Sequence, residues 1–251
     1  MGKYTGLLLC SDFDGTLCYQ GQVSPANLEA IEAFEQNGGR FTLATGRYPW
    51  ILRELKIPLR CNAPLVCMNG AILYDGETDR YLYEGTMSED YTDVLMEILR
   101  GQKGIRDLRI CSSDTKQAET IPTDAYEMIH GAMRRKPYKI LLHVDTEYSD
   151  EIKDKVICLS GDRYAVSRSW INGIEIQEAR YDKGKTARRL ANLVGADKLI
   201  CVGDYENDLS MLLEADLGVA MGNAVDVVKQ AADWVTASVT EDGIARLIEG
   251  L

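Results

Sequence analysis

The sequence predicts an α/β protein in which a parallel-sheet core domain is interrupted by an inserted α+β domain. Short apolar runs alternate with segments of helical periodicity at both ends of the chain, which is the pattern of a parallel sheet flanked by helices. Between these ends the regular alternation of strand and helix stops, and no sequence motif follows the predicted strands. We therefore expect a discontinuous core domain over residues 1–85 and 180–251 and an inserted domain over residues 86–179.

The first predicted strand is the apolar run LLLC at residues 7–10. A continuous apolar run bounded by a turn signal is typical of a strand buried on both faces. Asp12 and Asp14 follow it, and ligands of parallel sheets bind beyond the carboxyl ends of strands. Two carboxylates directed at one place repel each other unless a cation lies between them or one of them holds a proton. The alternative is a solvated turn, because Asp and Gly are common turn residues.

The next elements complete the first half of the core domain. Ser24 and Pro25, a cap residue and a proline at the first helical position, begin a helix. The pattern then predicts a strand at residues 40–44, a helix from Pro49 to about Ile57, a third strand of the parallel sheet at 64–68 and a hairpin at 71–84. Polar or flexible residues follow both of these sheet strands. Thr45, Gly46 and Arg47 follow the strand at residues 40–44, and Asn69 and Gly70 follow the strand at residues 64–68.

The inserted domain shows its own set of helices and strands. Helices are predicted at residues 88–101, 123–135 and 148–159, and strands at 106–111, 138–144, 163–169 and 173–177. The last two strands alternate like an antiparallel pair. The alternation of the core domain resumes with a helix at Lys183. A buried strand at residues 198–202 comes next, and Asp204, Asn207 and Asp208 follow its end. A short strand at residues 217–220 and further helices complete the chain.

Composition excludes several functions. The net charge of −11 argues against a nucleic-acid or anionic-membrane partner, since both require clustered Lys and Arg. No stretch is long and apolar enough to span a bilayer, and no signal peptide is expected. The seven cysteines form no C-x-x-C pair, which indicates reduced thiols and a cytoplasmic location. A zinc site is not expected, because His130 and His143 lie near no cysteine pair.

Polar groups stand at the ends of separate predicted strands or at the start of a helix. Since the carboxyl ends of parallel strands share one edge, these groups should converge. They are Asp12, Asp14, Thr45, Lys183, Asp204 and Asp208. Four carboxylates suit Mg²⁺, and the remaining hydroxyl and ammonium require an anion. A phosphoryl group that bridges Mg²⁺, lysine and backbone N–H groups satisfies all of them.

Several motifs resemble those of one family. DFDGT, TGR, the isolated lysine and GDYEND are similar, in kind and order, to the motif set of the haloacid-dehalogenase-like (HAD) phosphatases. NGAILYD and GVAMGNA resemble signatures of the Cof-type branch, which carries a type IIB α/β cap between its second and third catalytic motifs. The insertion falls in that interval. The resemblance covers essentially the whole chain and implies a Rossmann-like core with a cap.

The resemblance also implies a role for each matched residue. Asp12 would be the nucleophile that forms an aspartyl-phosphate. Asp14 would protonate the leaving oxygen and then activate water, while its backbone carbonyl would ligate Mg²⁺. The other metal ligands would be Asp12, Asp204 and Asp208, the last directly or through water. The phosphate-binding residues would be Thr45, Gly46, Lys183, Asn207, Asn69 and Gly70. Lys185 is an alternative to Lys183, although spacing from the preceding strand favours Lys183.

The implied activity is Mg²⁺-dependent hydrolysis of a small phosphomonoester, such as a sugar phosphate, a phosphorylated cofactor or a nucleotide. The implied partner is therefore a small phosphorylated metabolite, and no obligate protein partner is evident. One alternative is a phosphohexomutase-like phosphotransferase, which would form product without releasing phosphate. Another is a receiver-like signalling protein, which would keep a lasting phospho-Asp12. A third is a phosphate-binding protein without catalysis.

Overall fold

The computed structural model describes residues 2–55, 57–113 and 119–251. The chain divides into two compact units. The core unit consists of residues 1–84 and 183–251, and the inserted unit consists of residues 85–182. Across the described ranges, no helix combines the length and the apolar composition that crossing a bilayer requires.

The first segment of the core unit alternates strands and helices. Its elements are β1 (Leu7–Ser11), α1 (Pro25–Gln36), β2 (Arg40–Leu43), α2 (Pro49–Glu54), β3 (Leu65–Cys67), β4 (Ile72–Asp75) and β5 (Arg80–Glu84). The predicted start of α1 is confirmed, because the Ser24 side chain accepts a hydrogen bond from the Asn27 N–H and Pro25 is the first helical residue. Helix α2 is shorter than the sequence predicts and ends at Glu54.

The inserted unit and the second core segment follow in the chain. The elements of the inserted unit are α3 (Tyr91–Leu99), β6 (Ile105–Cys111), β7 (Glu119–Ile121), α4 (Tyr126–Arg134), β8 (Lys139–Val144), α5 (Ser149–Ser160), β9 (Tyr164–Trp170) and β10 (Gly173–Glu178). Those of the second core segment are α6 (Lys183–Val194), β11 (Lys198–Gly203), α7 (Leu209–Glu214), β12 (Leu217–Ala220), α8 (Asp226–Ala231), β13 (Trp234–Val235) and α9 (Gly243–Gly250).

A five-stranded parallel sheet forms the centre of the core unit, in the order β13-β12-β11-β1-β2. Strand β1 lies between β11 and β2, and Leu8, Leu9 and Cys10 are completely buried. This burial explains the continuous apolar run, because helices cover both faces of a parallel sheet. The predicted α/β class and parallel sheet are confirmed. The carboxyl ends of β1, β2 and β11 consequently lie at one edge of the sheet.

Strand β3 does not continue this parallel sheet, contrary to the prediction. A single parallel bridge joins Ala44 to Val66, and β3 then pairs with β4 in a separate antiparallel sheet, β3-β4-β5. The pairing with β4 follows from the turn after β3, where Met68, Asn69 and Gly70 all have positive φ angles of 50°, 54° and 100°. Left-handed residues in succession reverse the chain, so β4 folds back on β3.

The inserted unit has a sheet of its own, as the sequence predicts. Its strands run in the order β7-β6-β8-β10-β9 and pair antiparallel. The predicted antiparallel pairing of the last two strands is confirmed by β9 and β10. Alternate residues of β6, β8 and β10 are buried with residues of α3, α4 and α5 in a second hydrophobic core. The unit is therefore α+β.

Candidate active site

Asp12 is the first residue after the central strand β1. Its backbone N–H donates to the Val202 carbonyl of β11 at 2.9 Å, so the ladder between the two strands extends to the aspartate. The Ser11 hydroxyl donates to the Asp12 carbonyl at 2.7 Å. Asp12 is 6% exposed. The chain therefore presents a buried carboxylate at the carboxyl end of the sheet, where parallel α/β proteins bind ligands.

Lys183 connects Asp12 to Asp208. It is the first residue of α6, and its side chain is completely buried. The ammonium donates to Asp12 Oδ1 and to Asp208 Oδ1, each at 2.6 Å. These residues are far apart in the chain, and the parallel sheet brings them together. Lys185, the alternative considered from the sequence, is exposed.

Burial and charge act in opposite directions on this cluster. Burial raises the pKa of Asp12, the negative charge of Asp208 raises it further, and Lys183 offsets only part of that increase. Burial alone would lower the pKa of Lys183, but attraction to Asp12 and Asp208 outweighs it and keeps the pKa above its usual value. The lysine is therefore a permanent cation held between two carboxylates.

Asp204 and Asp208 form the second part of the cluster. Asp208 Oδ2 accepts the backbone N–H groups of Asp204 at 2.9 Å and Tyr205 at 3.1 Å, and the Thr16 hydroxyl donates to Asp204 Oδ1 at 2.6 Å. One carboxylate oxygen from each of Asp12, Asp204 and Asp208 lies within 4.8 Å of the other two. Three hard oxygen donors at this spacing could hold a divalent metal ion.

The raised pKa of Asp204 also indicates that the cluster can accept a cation. Burial, followed by the charge of Asp208, raises the pKa of Asp204 to about 7, despite the hydrogen bond from Thr16 that lowers it. Three carboxylates face a single ammonium in this cluster. The excess negative charge favours either a bound proton or a bound cation. The residues therefore fit a divalent cation, by charge as well as by donor type.

Asp14 lies next to the cluster but pairs with a different residue. Arg47 Nε donates to Asp14 Oδ2 and an Arg47 terminal nitrogen donates to Asp14 Oδ1, both at 2.7 Å. The guanidinium carbon of Arg47 is 5.4 Å from the centre of the Phe13 ring. The Asp14 side chain is 54% exposed. The two predicted catalytic aspartates therefore have different environments: Asp12 is buried beside Lys183, whereas Asp14 faces Arg47.

The predicted phosphate-binding loops meet each other beside these aspartates. Thr45 is buried. Its carbonyl accepts a hydrogen bond of 2.9 Å from the Asn69 N–H, and its hydroxyl accepts one of 3.2 Å from the Arg47 N–H. Asn69 Oδ1 accepts a long contact of 3.5 Å from the Asn207 side-chain amide. Thr186, one turn along α6 from Lys183, donates its hydroxyl to the Gly70 carbonyl at 2.8 Å. Gly46 is half-buried in the turn between Thr45 and Arg47.

The pattern of the sequence assigns no function to two residues that hold these loops. Thr16 supports Asp204 and Thr186 supports Gly70. The sequence predicts that Asn223 shapes the turn after a strand and that Arg47 makes an ion pair or contacts the inserted domain. In the structure the Asn223 amide donates to the Gly15 carbonyl at 2.9 Å. Gly15 has a φ angle of 85°, and a side chain there would collide with Asp204. Thr16 lies in the DFDGT motif, and that position is the available signal. For Thr186, the helical spacing from Lys183 was the available signal.

Residues 9–248 match the haloacid dehalogenase-like hydrolase family. Because the match spans most of the chain and includes the whole site described above, the protein belongs to this family.

Relatives match nearly the whole length of the chain. It is 27% identical, across 96% of its own length and 94% of the relative, to 5-amino-6-(5-phospho-D-ribitylamino)uracil phosphatase YcsE of Bacillus subtilis strain 168. It is also 27% identical to pyridoxal phosphate phosphatase YbhA of Escherichia coli K12, covering 97% of this chain and 98% of the relative. The structure of the HAD subclass IIB sugar phosphatase BT4131 is similar, with a TM-score of 0.76 and 24% identity over 97% of this chain and 98% of that one. This last likeness supports the fold.

Proposed function

We propose that the protein is a Mg²⁺-dependent phosphatase that hydrolyses small phosphomonoesters through an aspartyl-phosphate on Asp12. The observation that carries the proposal is the contact between the buried Asp12 carboxylate and the buried Lys183 ammonium, 2.6 Å apart. A carboxylate at the end of the central strand lies at the edge where parallel α/β proteins bind their ligands. The adjacent cation can stabilise the negative charge of a phosphoryl group during transfer.

In the first step, an Asp12 oxygen forms a bond to phosphorus while the bond from phosphorus to the leaving oxygen breaks. Asp14 donates a proton to that oxygen, which leaves as an alcohol. In the second step, water attacks the phosphorus of the aspartyl-phosphate and gives its proton to Asp14. Inorganic phosphate is released and the Asp12 carboxylate is restored. Lys183 holds phosphoryl oxygens throughout both steps.

The metal ligands in this proposal are Asp12, Asp204, Asp208 and the backbone carbonyl of Asp14. Both oxygens of Asp208 already accept hydrogen bonds, from Lys183 and from two backbone N–H groups, which favours a position one water molecule away from the ion. Bound Mg²⁺ would supply positive charge to the phosphoryl oxygens. Thr16 orients Asp204 for this ligation through its hydroxyl.

The phosphate-binding residues in the proposal are Thr45, Gly46, Lys183, Asn69, Gly70 and Asn207. Thr45 and Asn69 belong to loops that hydrogen-bond to each other, so the hydroxyl and the nearby backbone can act as one receptor for phosphoryl oxygens. A preorganised set of donors stabilises the charge of the transition state without rearranging during the reaction.

The substrate class follows from the family and from its relatives. YcsE and YbhA are named for phosphorylated small molecules, and we extend that class to this chain as sugar phosphates, phosphorylated cofactors or nucleotides. The net charge of −11 supports a small metabolite over a polyanion. Seven free cysteines support a reducing cytoplasmic location.

Phosphate release from p-nitrophenyl phosphate and from a panel of sugar phosphates tests the proposal. Wild type, Asp12→Asn and the exposed-site control Asp226→Asn would be assayed with Mg²⁺ and with EDTA, and circular dichroism would verify folding. We expect release that requires Mg²⁺ and falls by about a thousandfold or more in Asp12→Asn alone. Undiminished release by Asp12→Asn, or release unaffected by EDTA, would contradict the mechanism.

A further inference from the structure

Arg47 is fixed at three places. Its backbone N–H donates to the Thr45 hydroxyl at 3.2 Å, and its carbonyl accepts the Met68 N–H at 3.1 Å. Its guanidinium lies over the Phe13 ring, 5.4 Å from the ring centre. A guanidinium held by a cation–π contact and by a backbone anchored at both its N–H and its carbonyl has little freedom to rotate. Its hydrogen-bonding edge therefore points in a defined direction.

That edge holds both carboxylate oxygens of Asp14, with two bonds of 2.7 Å. Two parallel hydrogen bonds fix a carboxylate in position and in rotation, whereas one bond leaves it free to turn. The Asp14 side chain is half exposed, so without Arg47 it would sample several rotamers in solvent. Solvent limits what this partly exposed pair contributes to stability, and the fixed direction of the carboxyl group is the effect that bears on catalysis.

We propose that Arg47 is a positioning residue that orients the Asp14 carboxyl group for proton transfer to the leaving oxygen, an inference that rests on the proposed function. Arg47 acts through Asp14, while Phe13 and the Thr45 turn hold Arg47. Each Asp14 oxygen gives one lone pair to the Arg47 fork and keeps a second one, which can carry a proton. That proton moves to the leaving oxygen as the bond from phosphorus to this oxygen breaks, so a misdirected carboxyl group slows the step in proportion to how much the leaving oxygen needs the proton.

Leaving groups of different basicity make this role measurable. p-Nitrophenolate leaves readily without a proton, whereas a simple alkoxide requires one. The experiment compares kcat/KM for p-nitrophenyl phosphate and for an alkyl phosphate, because kcat/KM reports the phosphoryl-transfer step and excludes hydrolysis of the intermediate. The variant is Arg47→Lys, which keeps the positive charge but cannot form the fork. The matched control is Arg53→Lys, because Arg53 pairs with Asp79 at 3.1 Å and lies over the Tyr74 ring.

We expect Arg47→Lys to lose about tenfold or more kcat/KM on the alkyl phosphate relative to its loss on p-nitrophenyl phosphate. Arg53→Lys should keep the kcat/KM of wild type on both esters. The melting temperatures of both variants should agree with that of wild type. Equal losses of Arg47→Lys on both esters would overturn the inference, because they would indicate binding of the common phosphoryl group. A failure of the proposed function is distinguishable, since wild type would then hydrolyse neither ester.

Discussion

Replacing Lys183 by methionine should destabilise the core unit by about 3–5 kcal/mol at about pH 8, in the absence of Mg²⁺. The ammonium is completely buried and contacts Asp12 and Asp208 at 2.6 Å each. Methionine fills a similar volume but carries no charge, so the cost arises from two buried carboxylates that lose their cation. This is the usual penalty for removing one partner of a buried ion pair.

The penalty should depend on pH. Burial and the charge of Asp208 already raise the pKa of Asp12 in the folded protein. A carboxyl group whose pKa is higher in the folded state than in the unfolded state loses stability as the pH rises through the folded value. Without Lys183 the pKa of Asp12 should rise further, because the cation that lowers it is gone, so more of the Asp12 carboxyl group is protonated at the lower pH than at the higher one. The difference between variant and wild type should therefore be smaller at about pH 5 than at about pH 8.

Urea unfolding followed by circular dichroism, in EDTA and at both pH values, measures these differences. The control is Lys185→Met, since Lys185 is exposed on the same helix and its replacement should cost no more than about 0.5 kcal/mol. If Lys183→Met were within about 1 kcal/mol of Lys185→Met at the higher pH, the charge argument would fail. A larger loss at the lower pH would also refute it.

Two further predictions concern Asp204, a metal ligand in the proposed function. Thr16→Val removes the hydroxyl that donates to Asp204 at 2.6 Å. We expect this variant to bind Mg²⁺ about 10–100-fold more weakly, as measured by calorimetry. An unchanged affinity would count against this role of Thr16. Since the pKa of Asp204 is raised to about 7, protons compete with the cation. Apparent Mg²⁺ affinity should fall about tenfold per pH unit below pH 7 and level off above it, and calorimetry showing a flat profile would disprove the competition.

The sequence predicted the fold well because its signals are local. The apolar run of β1 and the helix start at Ser24 depend on residues adjacent in the chain. The convergence at the sheet edge then follows from topology, since parallel strands present their carboxyl ends together. The structure accordingly brings Asp12, Lys183 and Asp208 into contact. Their catalytic roles are part of the proposed function.

Other features could not be predicted from pattern alone. The antiparallel pairing of β3 depends on Met68 and Asn69 adopting positive φ angles, which non-glycine residues seldom do. The partner of Asp14 depends on where its side chain points after β1 ends. Alternation along a strand no longer determines that direction once the chain turns. Arg47 lies on another loop, and only the folded arrangement shows that its guanidinium meets both oxygens of Asp14.

The core unit combines an apolar centre with a charged edge, and the two features have opposite effects on stability. Strand β1 is stabilised by complete burial of Leu8 and Leu9, and burial of apolar side chains contributes about 1.5–3 kcal/mol each. At the carboxyl ends of β1 and β11, burial and neighbouring like charge raise the pKa values of Asp12 and Asp204, which is unfavourable when both are ionised. The two strands therefore hold the carboxylates in an arrangement that they would not adopt alone. Since a divalent cation would relieve that repulsion, the same arrangement that costs stability in the metal-free protein fits the divalent metal ion of the proposed function.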